Sequence, residues 1–260
     1  MKVISVINNK GGVGKTTTTL HLASMFANEG SNTVLVDLDP QTNLSQGFMP
    51  KPKYKENHYK IEDFLKKKKG LWLYQREDNP NLKIIQGSKS FNSEEFNIND
   101  LVTSLELLNN VSKKKIDYVF IDCPPAVYYP NKKGVQIPEM ALYSSDYVLI
   151  PIKADYYSYE GIVTLINTIQ QIEMKWKKKI KIAGIFINQA KVKQVNYSMF
   201  KDLYENNPVI SKLFLKSVIR ENTAIDRACN NNLTIFEYSP NSIGADDFRE
   251  LYKEVKTKIK

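Results

Sequence analysis

Residues 8–19 read NNKGGVGKTTTT and follow directly on the apolar run VISVI. Gly11, Gly12 and Gly14, followed at once by Lys15 and Thr16, are the residue types needed to wrap a phosphate group. Glycines let the backbone turn tightly and aim its N–H groups at phosphate oxygens. A helix beginning at Lys15 and Thr16 adds the positive end of its dipole. On this reading Val13 lies within the cradle and Lys15 meets the β- and γ-phosphates. The Thr16 hydroxyl takes Mg2+, and Thr17 bonds the α-phosphate. Two features depart from the usual spacing, G-x-x-x-x-G-K-[ST]. Asn9 stands where the first glycine belongs, and a second lysine, Lys10, sits on the loop.

Carboxylates end two other apolar runs: Asp37 and Asp39 in VLVDLDPQTN, and Asp122 in YVFIDCPP. In open α/β sheets ligands gather outside the carboxyl ends of the strands, so these acids are expected to face the phosphate loop. Asp122 is then the acid that holds Mg2+ through its water shell. One strand-end aspartate commonly caps the next turn. Three that converge on a phosphate loop point to metal-assisted phosphoryl chemistry.

The elements that must position these groups are legible as apolar runs with helical segments between them, the pattern of a parallel sheet wrapped by helices. Strands are expected at KVISVI, TVLVDLD, LKIIQG, DYVFIDC, DYVLIPIK, IKIAGIFIN and KSVIR. Helices are expected over residues 16–28, 94–109, 159–176, 197–205, 223–230 and 245–258, with a short one at 61–65. The fold class is α/β: a doubly wound, mostly parallel sheet flanked by helices, expected as a single domain over residues 1–260. Residues 50–81, polar and rich in lysine and tyrosine, are the least regular.

With 260 residues, 42% of them hydrophobic, the chain is long enough to bury one large core. It opens directly into a strand, so neither a signal segment nor an N-terminal DNA-reading domain is expected. No apolar run reaches the length of a bilayer span. Cys123 and Cys229 have no close pairing, which suits a reducing, cytoplasmic setting. The net charge of +9 invites a polyanion. Most of it is lysine, though, in runs at 66–69, 113–115 and 177–179 that equally suit solvated helix ends.

KGGVGKTTTT, then DLDPQTN, then IDCPP, resembles the deviant-Walker ATPases of the ParA and MinD group. The resemblance extends through VLIPIKADYYSYEGI to SVIRENTAIDRACNNNLTIFEYSPNSIGADDFREL, and is nearest to short Soj-like partition proteins. It implies ATP and Mg2+ as cofactors, a nucleotide-sandwich homodimer, non-specific binding to DNA, and slow hydrolysis stimulated by a ParB-like centromere-binding partner. It also implies a nucleoid-associated location. Lys10 matches the lysine that reaches across the dimer to the partner's ATP, in the manner of an arginine finger. Asp39 takes the role of positioning the attacking water, and Asp37 matches the acid near the Mg2+ shell. Asn188 falls where related ATPases hold the adenine base. Arg220 matches an arginine used for DNA. Arg227 is read beside it, in the first turn of a helix opened by a Thr223–Asp226 capping box, where the helix dipole disfavours a cation.

Other functions share this engine. A MinD-like, membrane-associated positioning ATPase needs a bulky apolar face on a terminal helix. Here Phe248, Leu251, Tyr252, Val255 and Ile259 read instead as a stripe facing the core. A dimeric iron–sulfur reductase would need both cysteines as ligands, yet neither lies in a suitable context. A small-molecule kinase lacks an evident acceptor site.

Overall fold

The computed structural model describes residues 1–56, 59–68, 73–125 and 127–260. Lys69 of the first lysine run, and residues 57, 58 and 70–72 of the irregular 50–81 stretch, lie outside the described residues.

Among the described residues eight strands form one sheet in the order β3-β4-β2-β5-β1-β6-β7-β8. They are β1 (Lys2–Val6), β2 (Thr33–Asp37), β3 (Tyr74–Gln75), β4 (Leu82–Ile85), β5 (Tyr118–Asp122), β6 (Tyr147–Ile152), β7 (Lys181–Ala190) and β8 (Phe214–Arg220). Every neighbouring pair is parallel except the edge pair β3 and β4. β2 and β6 are buried at every residue, as strands covered on both faces must be. This is why they appear in sequence as unbroken apolar runs.

Helices connect the strands. α1 (Lys15–Asn28) follows β1; α2 (Asn43–Phe48), α3 (Lys51–Glu56) and α4 (Ile61–Leu65) follow β2; α5 (Asp100–Val111) follows β4. α6 (Ile137–Ser144), α7 (Tyr156–Trp176), α8 (Val195–Glu205) and α9 (Pro208–Ser211) lie between β5 and β8, and α10 (Thr223–Asn230), α11 (Ile235–Tyr238) and α12 (Ile243–Lys258) follow β8. One face of the sheet is covered by α1 and α12, where Phe26, Phe120, Phe248, Leu251 and Val255 share a core cluster. On the other face Leu105, Val119, Ile121, Ile162, Leu165 and Ile169 share a second cluster. The terminal stripe is therefore core: Phe248, Leu251, Tyr252, Val255 and Ile259 are all buried. Each large apolar side chain so placed contributes about 2 kcal/mol.

β1 lies between β5 and β6. The chain leaves β1 for β2 on one side, returns through β5, and passes over β1 to build the other half from β6 onward. The loop after β1 thus opens at the point where strand order reverses, the crevice in which this architecture holds its ligands.

Three local expectations are corrected. The helix read over 94–109 is a 3-10 turn, Ser93–Glu95, followed by α5. Phe96 and Ile98 are buried in the break, and Asp100 accepts the Asn97 N–H at 2.7 Å to start α5 afresh. α6 was not anticipated, because eight residues between a loop and a strand show too little period. At α10 the cap is Asn222, whose side chain accepts the Ala224 N–H at 2.8 Å, not a Thr223–Asp226 box. Arg227 falls in the last turn, where the dipole favours a cation. The inference from a misplaced charge therefore lapses.

Candidate active site

The loop between β1 and α1 is pinned from both sides. Asn8, buried, donates through Nδ2 to the Pro151 carbonyl at 2.7 Å, and its Oδ1 accepts the Lys10 N–H at 2.9 Å. Asn188, buried at the end of β7, donates to the Val13 carbonyl at 2.7 Å. Gly12 and Gly14 have φ of 69° and 85°, a left-handed backbone that other residues rarely adopt. At Gly14 an added Cβ would also run into the Asn188 amide. Above Gly11 and Gly12 the space is open.

α1 leaves its first-turn N–H groups for a ligand. Gly14, its N-terminal cap residue, makes no capping side-chain bond, and the first turn holds no acid. Such an end is an anion site by construction. Lys15 is buried and folds back to donate to the Lys10 carbonyl at 3.0 Å. Burial pushes its ammonium pKa down, partly offset by the charges of Asp122 and Asp39. A buried cation whose close partner among the described residues is a carbonyl is poised for an incoming anion.

The carboxylates come together as expected. Asp37 and Asp122 are register partners on β2 and β5, and Val6 pairs with Asp122 from the other side. Thr16 donates to Asp122 Oδ2 at 2.7 Å. Asp122 Oδ1 is buried without a hydrogen-bond partner among the described residues. Burial, then the neighbouring Asp37 charge, raises the Asp122 pKa well above the usual carboxylate range. An orphaned carboxylate oxygen beside a threonine hydroxyl fits a hydrated Mg2+. Among the described residues no group of three or more His, Cys, Asp or Glu side chains could hold a metal by itself. The ion would therefore depend on nucleotide phosphates, as Mg2+ does in such sites.

Asp37 is placed differently from a ligand. Its Oδ2 accepts the Ser45 N–H at 2.9 Å and the Ser45 hydroxyl at 2.6 Å, and its Oδ1 accepts the Asp39 N–H at 3.2 Å. Burial raises it to about 6, against these bonds. Gly87 closes this corner: an added Cβ there would sit 2.8 Å from the Asp37 carboxyl carbon. Asp37 thus anchors α2 and holds the backbone of Asp39. The Asp39 carboxylate accepts the Gln41 N–H at 2.9 Å and lines a cleft of about 1030 Å³ with Gly11, Lys15, Thr16 and Pro125.

Lys10 lies on the rim. Its side chain is 46% exposed, and its amine donates to both oxygens of Asp155 at 3.0 and 2.9 Å. Asp155 also caps α7, accepting the Ser158 N–H at 2.9 Å. Sequence reasoning missed Asp155 and Asn8, whose partners lie 145 and 143 residues away, and Ser45, which meets Asp37 only because the chain turns back between them. Asn188, expected against the base, has its amide under the loop. Its neighbour Gln189 reaches the large cleft, and both line a smaller one with Asn222 and Asp226. Arg220 sits on that small cleft's wall. Its guanidinium makes a two-pronged pair with Asp247, Nε at 3.0 and 3.1 Å and Nη2 at 2.5 Å. The Arg227 side chain is exposed on α10.

His21 ties this loop to the rest of the fold. Its Nδ1 donates to the Thr17 carbonyl at 2.7 Å and its Nε2 accepts the Ile235 N–H at 2.9 Å. The ring stacks on Phe248 at 4.6 Å. Burial lowers its pKa to about 4. A depressed histidine contributes stability that is full above the unfolded value of about 6.5 and lost as pH falls toward 4, about 3 kcal/mol in all. Asp37, raised to about 6, acts in the opposite sense over the same range, so wild type alone shows a muted slope. We expect His21→Ala to lower stability by about 3 kcal/mol near pH 7, through the lost ring and the unpaired Ile235 N–H. Urea unfolding should show that gap to wild type closing toward pH 4. A gap independent of pH would contradict the neutral, buried imidazole.

A family model described as an AAA domain matches residues 1–182. An uncharacterised protein of Methanocaldococcus jannaschii is 30% identical over 100% of both chains. The sporulation initiation inhibitor protein Soj of Bacillus subtilis is 28% identical over 98% of each chain. Among solved structures, a putative plasmid partition protein of Borrelia burgdorferi bound to AMPPNP has a TM-score of 0.75 at 22% identity, covering 99% of both chains. The septum site-determining protein MinD of Pyrococcus horikoshii, complexed with Mg-ADP, has 0.69 at 23% identity, covering 98% of this chain and 95% of that one. The structures establish the fold, and the sequence matches carry it to the level of family. With its phosphate loop, second loop lysine and paired strand-end acids, the chain belongs to the ParA/MinD family of nucleotide-hydrolysing P-loop ATPases.

Proposed function

We propose that the chain is an ATP-dependent positioning ATPase whose homodimer forms across the nucleotide and whose working surface is DNA. One observation carries the reading. Of two lysines on a single loop, Lys15 turns inward and Lys10 lies exposed on the rim, paired with Asp155. An exposed pair of this kind is worth at most about 1 kcal/mol, so the amine is cheaply released to a stronger anion. The phosphates of a nucleotide held by a facing copy are such an anion, and their removal by hydrolysis would dissolve the contact. Assembly and turnover become one switch.

In this reading Gly11 through Gly14 and the first turn of α1 wrap the phosphates, and Lys15 neutralises the β- and γ-groups. Thr16 and Asp122 would hold Mg2+, which when bound supplies charge stabilisation to the transferring phosphoryl group. Asp39 orients the attacking water and accepts its proton, and Lys10 from the facing copy adds cationic stabilisation at the bridging oxygen. Gln189, Asn222 and Asp226 in the small cleft offer donors and acceptors for the base, with Asn188 keeping the loop in place beside it.

Asp39→Ala should cut ATP turnover by about a hundredfold or more, in line with losing a positioned base. It should leave a dimer that persists on ATP. Phosphate-release kinetics with size-exclusion chromatography would check both, and normal turnover would remove Asp39 from the mechanism.

Arg220, which matches an arginine that related proteins use for DNA, and the net charge of +9 support DNA as the surface on which such a dimer works. A ParB-like protein is then the stimulating partner. Segregation of plasmid or chromosomal DNA is the corresponding cellular role. The fold shared with MinD favours a second reading, an ATPase that positions cargo from a membrane. Among the described residues no helix is long and apolar enough to cross a bilayer, and the apolar face of α12 is already used in the core. Retention on DNA that needs ATP and is lost in Arg220→Glu supports the first reading; ATP-dependent sedimentation with vesicles in its place supports the second.

A further inference from the structure

Thr42 sits in the turn that carries Asp39, and its backbone is unusual. Its φ of 55° and ψ of 28° are left-handed, a conformation that glycine adopts freely and a β-branched residue resists. Among the described residues the other non-glycine positions with positive φ are Lys67, Lys177, Gln189 and Asn232, none of them β-branched. Thr42 is also completely buried. Strain of this kind persists only where the surroundings impose it.

The side chain shows what imposes it. Thr42 immediately precedes α2, where a threonine hydroxyl normally caps the helix by accepting an N–H of the first turn. Among the described residues it makes no such bond. Asp37 has taken that place, its Oδ2 accepting the Ser45 N–H at 2.9 Å, and the Thr42 hydroxyl is turned elsewhere. It lies 3.0 Å from the Tyr54 hydroxyl and accepts Gln46 Nε2 at 2.9 Å. The same Gln46 amide donates to the Gln41 carbonyl at 3.1 Å. Tyr54 is fixed in turn, its carbonyl accepting Gln86 Nε2 at 3.2 Å. Through one hydroxyl, α3, part of the irregular stretch 50–81, reaches the turn of Asp39.

The backbone passes that hold onward. The Thr42 N–H donates to the Asp39 carbonyl at 2.8 Å. The Gln41 N–H donates to Asp39 Oδ1 at 2.9 Å, and the Asp39 N–H to Asp37 Oδ1 at 3.2 Å. A rotation at Thr42 therefore pulls on the bonds that aim the Asp39 carboxylate.

We propose that Tyr54, acting through the Thr42 hydroxyl, is a positioning residue for Asp39 in ATP hydrolysis. The role rests on the reading of Asp39 as the group that orients the attacking water. Held by Tyr54 and Gln46, Thr42 keeps its left-handed backbone and the turn keeps Asp39 aimed into the cleft. With the link cut, Thr42 relaxes toward the extended backbone usual at a helix cap, and Asp39 moves out of line. A misplacement of about 1 Å is enough to slow chemistry by roughly a hundredfold. Tyr54 and Gln46 line the cleft themselves, whereas Thr42 is buried behind them. A substitution at Thr42 thus reports on positioning without removing a contact to nucleotide.

The test measures steady-state ATP hydrolysis and thermal melts for Tyr54→Phe, Thr42→Val, their combination, and Thr42→Ser. Tyr54→Phe and Thr42→Val should each lower kcat by about tenfold or more with KM for ATP unchanged. The combination should lose no more than the worse of the two, since one link is cut twice. Thr42→Ser keeps the hydroxyl and should stay close to the wild-type rate. Tyr54→Phe removes one oxygen at the cleft wall, so it keeps the test readable should Thr42→Val lower the melt. A raised KM at unchanged kcat in Tyr54→Phe, multiplied losses in the combination, or an equal loss in Thr42→Ser would overturn the proposal. Asp39→Ala separates the two readings. If it hydrolyses normally, Asp39 is not the group being positioned and both fall; if it is slow while Tyr54→Phe is normal, only the positioning role falls.

Discussion

Lys15→Ala is expected to abolish measurable nucleotide binding while leaving the fold as stable as before, or slightly more so. The ammonium is buried at the mouth of α1 with a backbone carbonyl as its close partner. Burial lowers its pKa, which means that keeping it charged works against the folded state. Nucleotide reverses that balance by placing phosphate oxygens where only the loop's own carbonyl now lies. Charge-assisted bonds of this kind contribute several kcal/mol, so the dissociation constant should rise by about a hundredfold or more. Calorimetric titration with ATP and Mg2+, beside a thermal melt of the free protein, separates loss of the site from loss of the fold. A variant that still binds within a few-fold of wild type would show that the loop and the helix end suffice without the amine.

Lys10→Ala should produce the opposite pattern: nearly normal nucleotide affinity in the monomer and no ATP-driven dimer. The two lysines are five residues apart and yet sit in different surroundings. Lys15 is enclosed, whereas Lys10 is nearly half exposed and paired with an aspartate from the start of α7. Losing that surface pair costs at most about 1 kcal/mol of stability, so the melt should barely move. What disappears is a cation delivered to a neighbour's phosphates, and with it the differential affinity that couples dimerisation to ATP. Light scattering at matched protein concentration would read this directly. Asp155→Asn supplies the converse control, since freeing Lys10 should let dimers form at equal or lower ATP.

The parts of the site legible in sequence are those set by local order. Glycines, Lys15 and Thr16 lie between a strand and a helix, and apolar runs end in Asp37, Asp39 and Asp122. Parallel strands carry such acids to one edge because each run is buried on both faces, and the register of β2 with β5 brings Asp37 beside Asp122. What sequence could not show depends on long-range closure. Asp155 lies 145 residues from Lys10, and Asn188 lies 175 residues from the carbonyl it supports. Asp37 looks in sequence like a metal acid, because spacing cannot reveal that Ser45 would take its oxygen. Arg227 lies one position further along its helix than the sequence indicates, because Asn222 and Thr223 are both competent caps, and only the backbone shows that Asn222 serves.

A crystal structure of Asp39→Ala with ATP and Mg2+ tests the central claim most directly. The account requires two chains facing each other across paired nucleotides. In each, the Lys10 amine has left Asp155 and lies within hydrogen-bond distance of phosphates held by the other chain. A liganded protein that remains monomeric, or a dimer in which Lys10 still rests on its own Asp155, would contradict it.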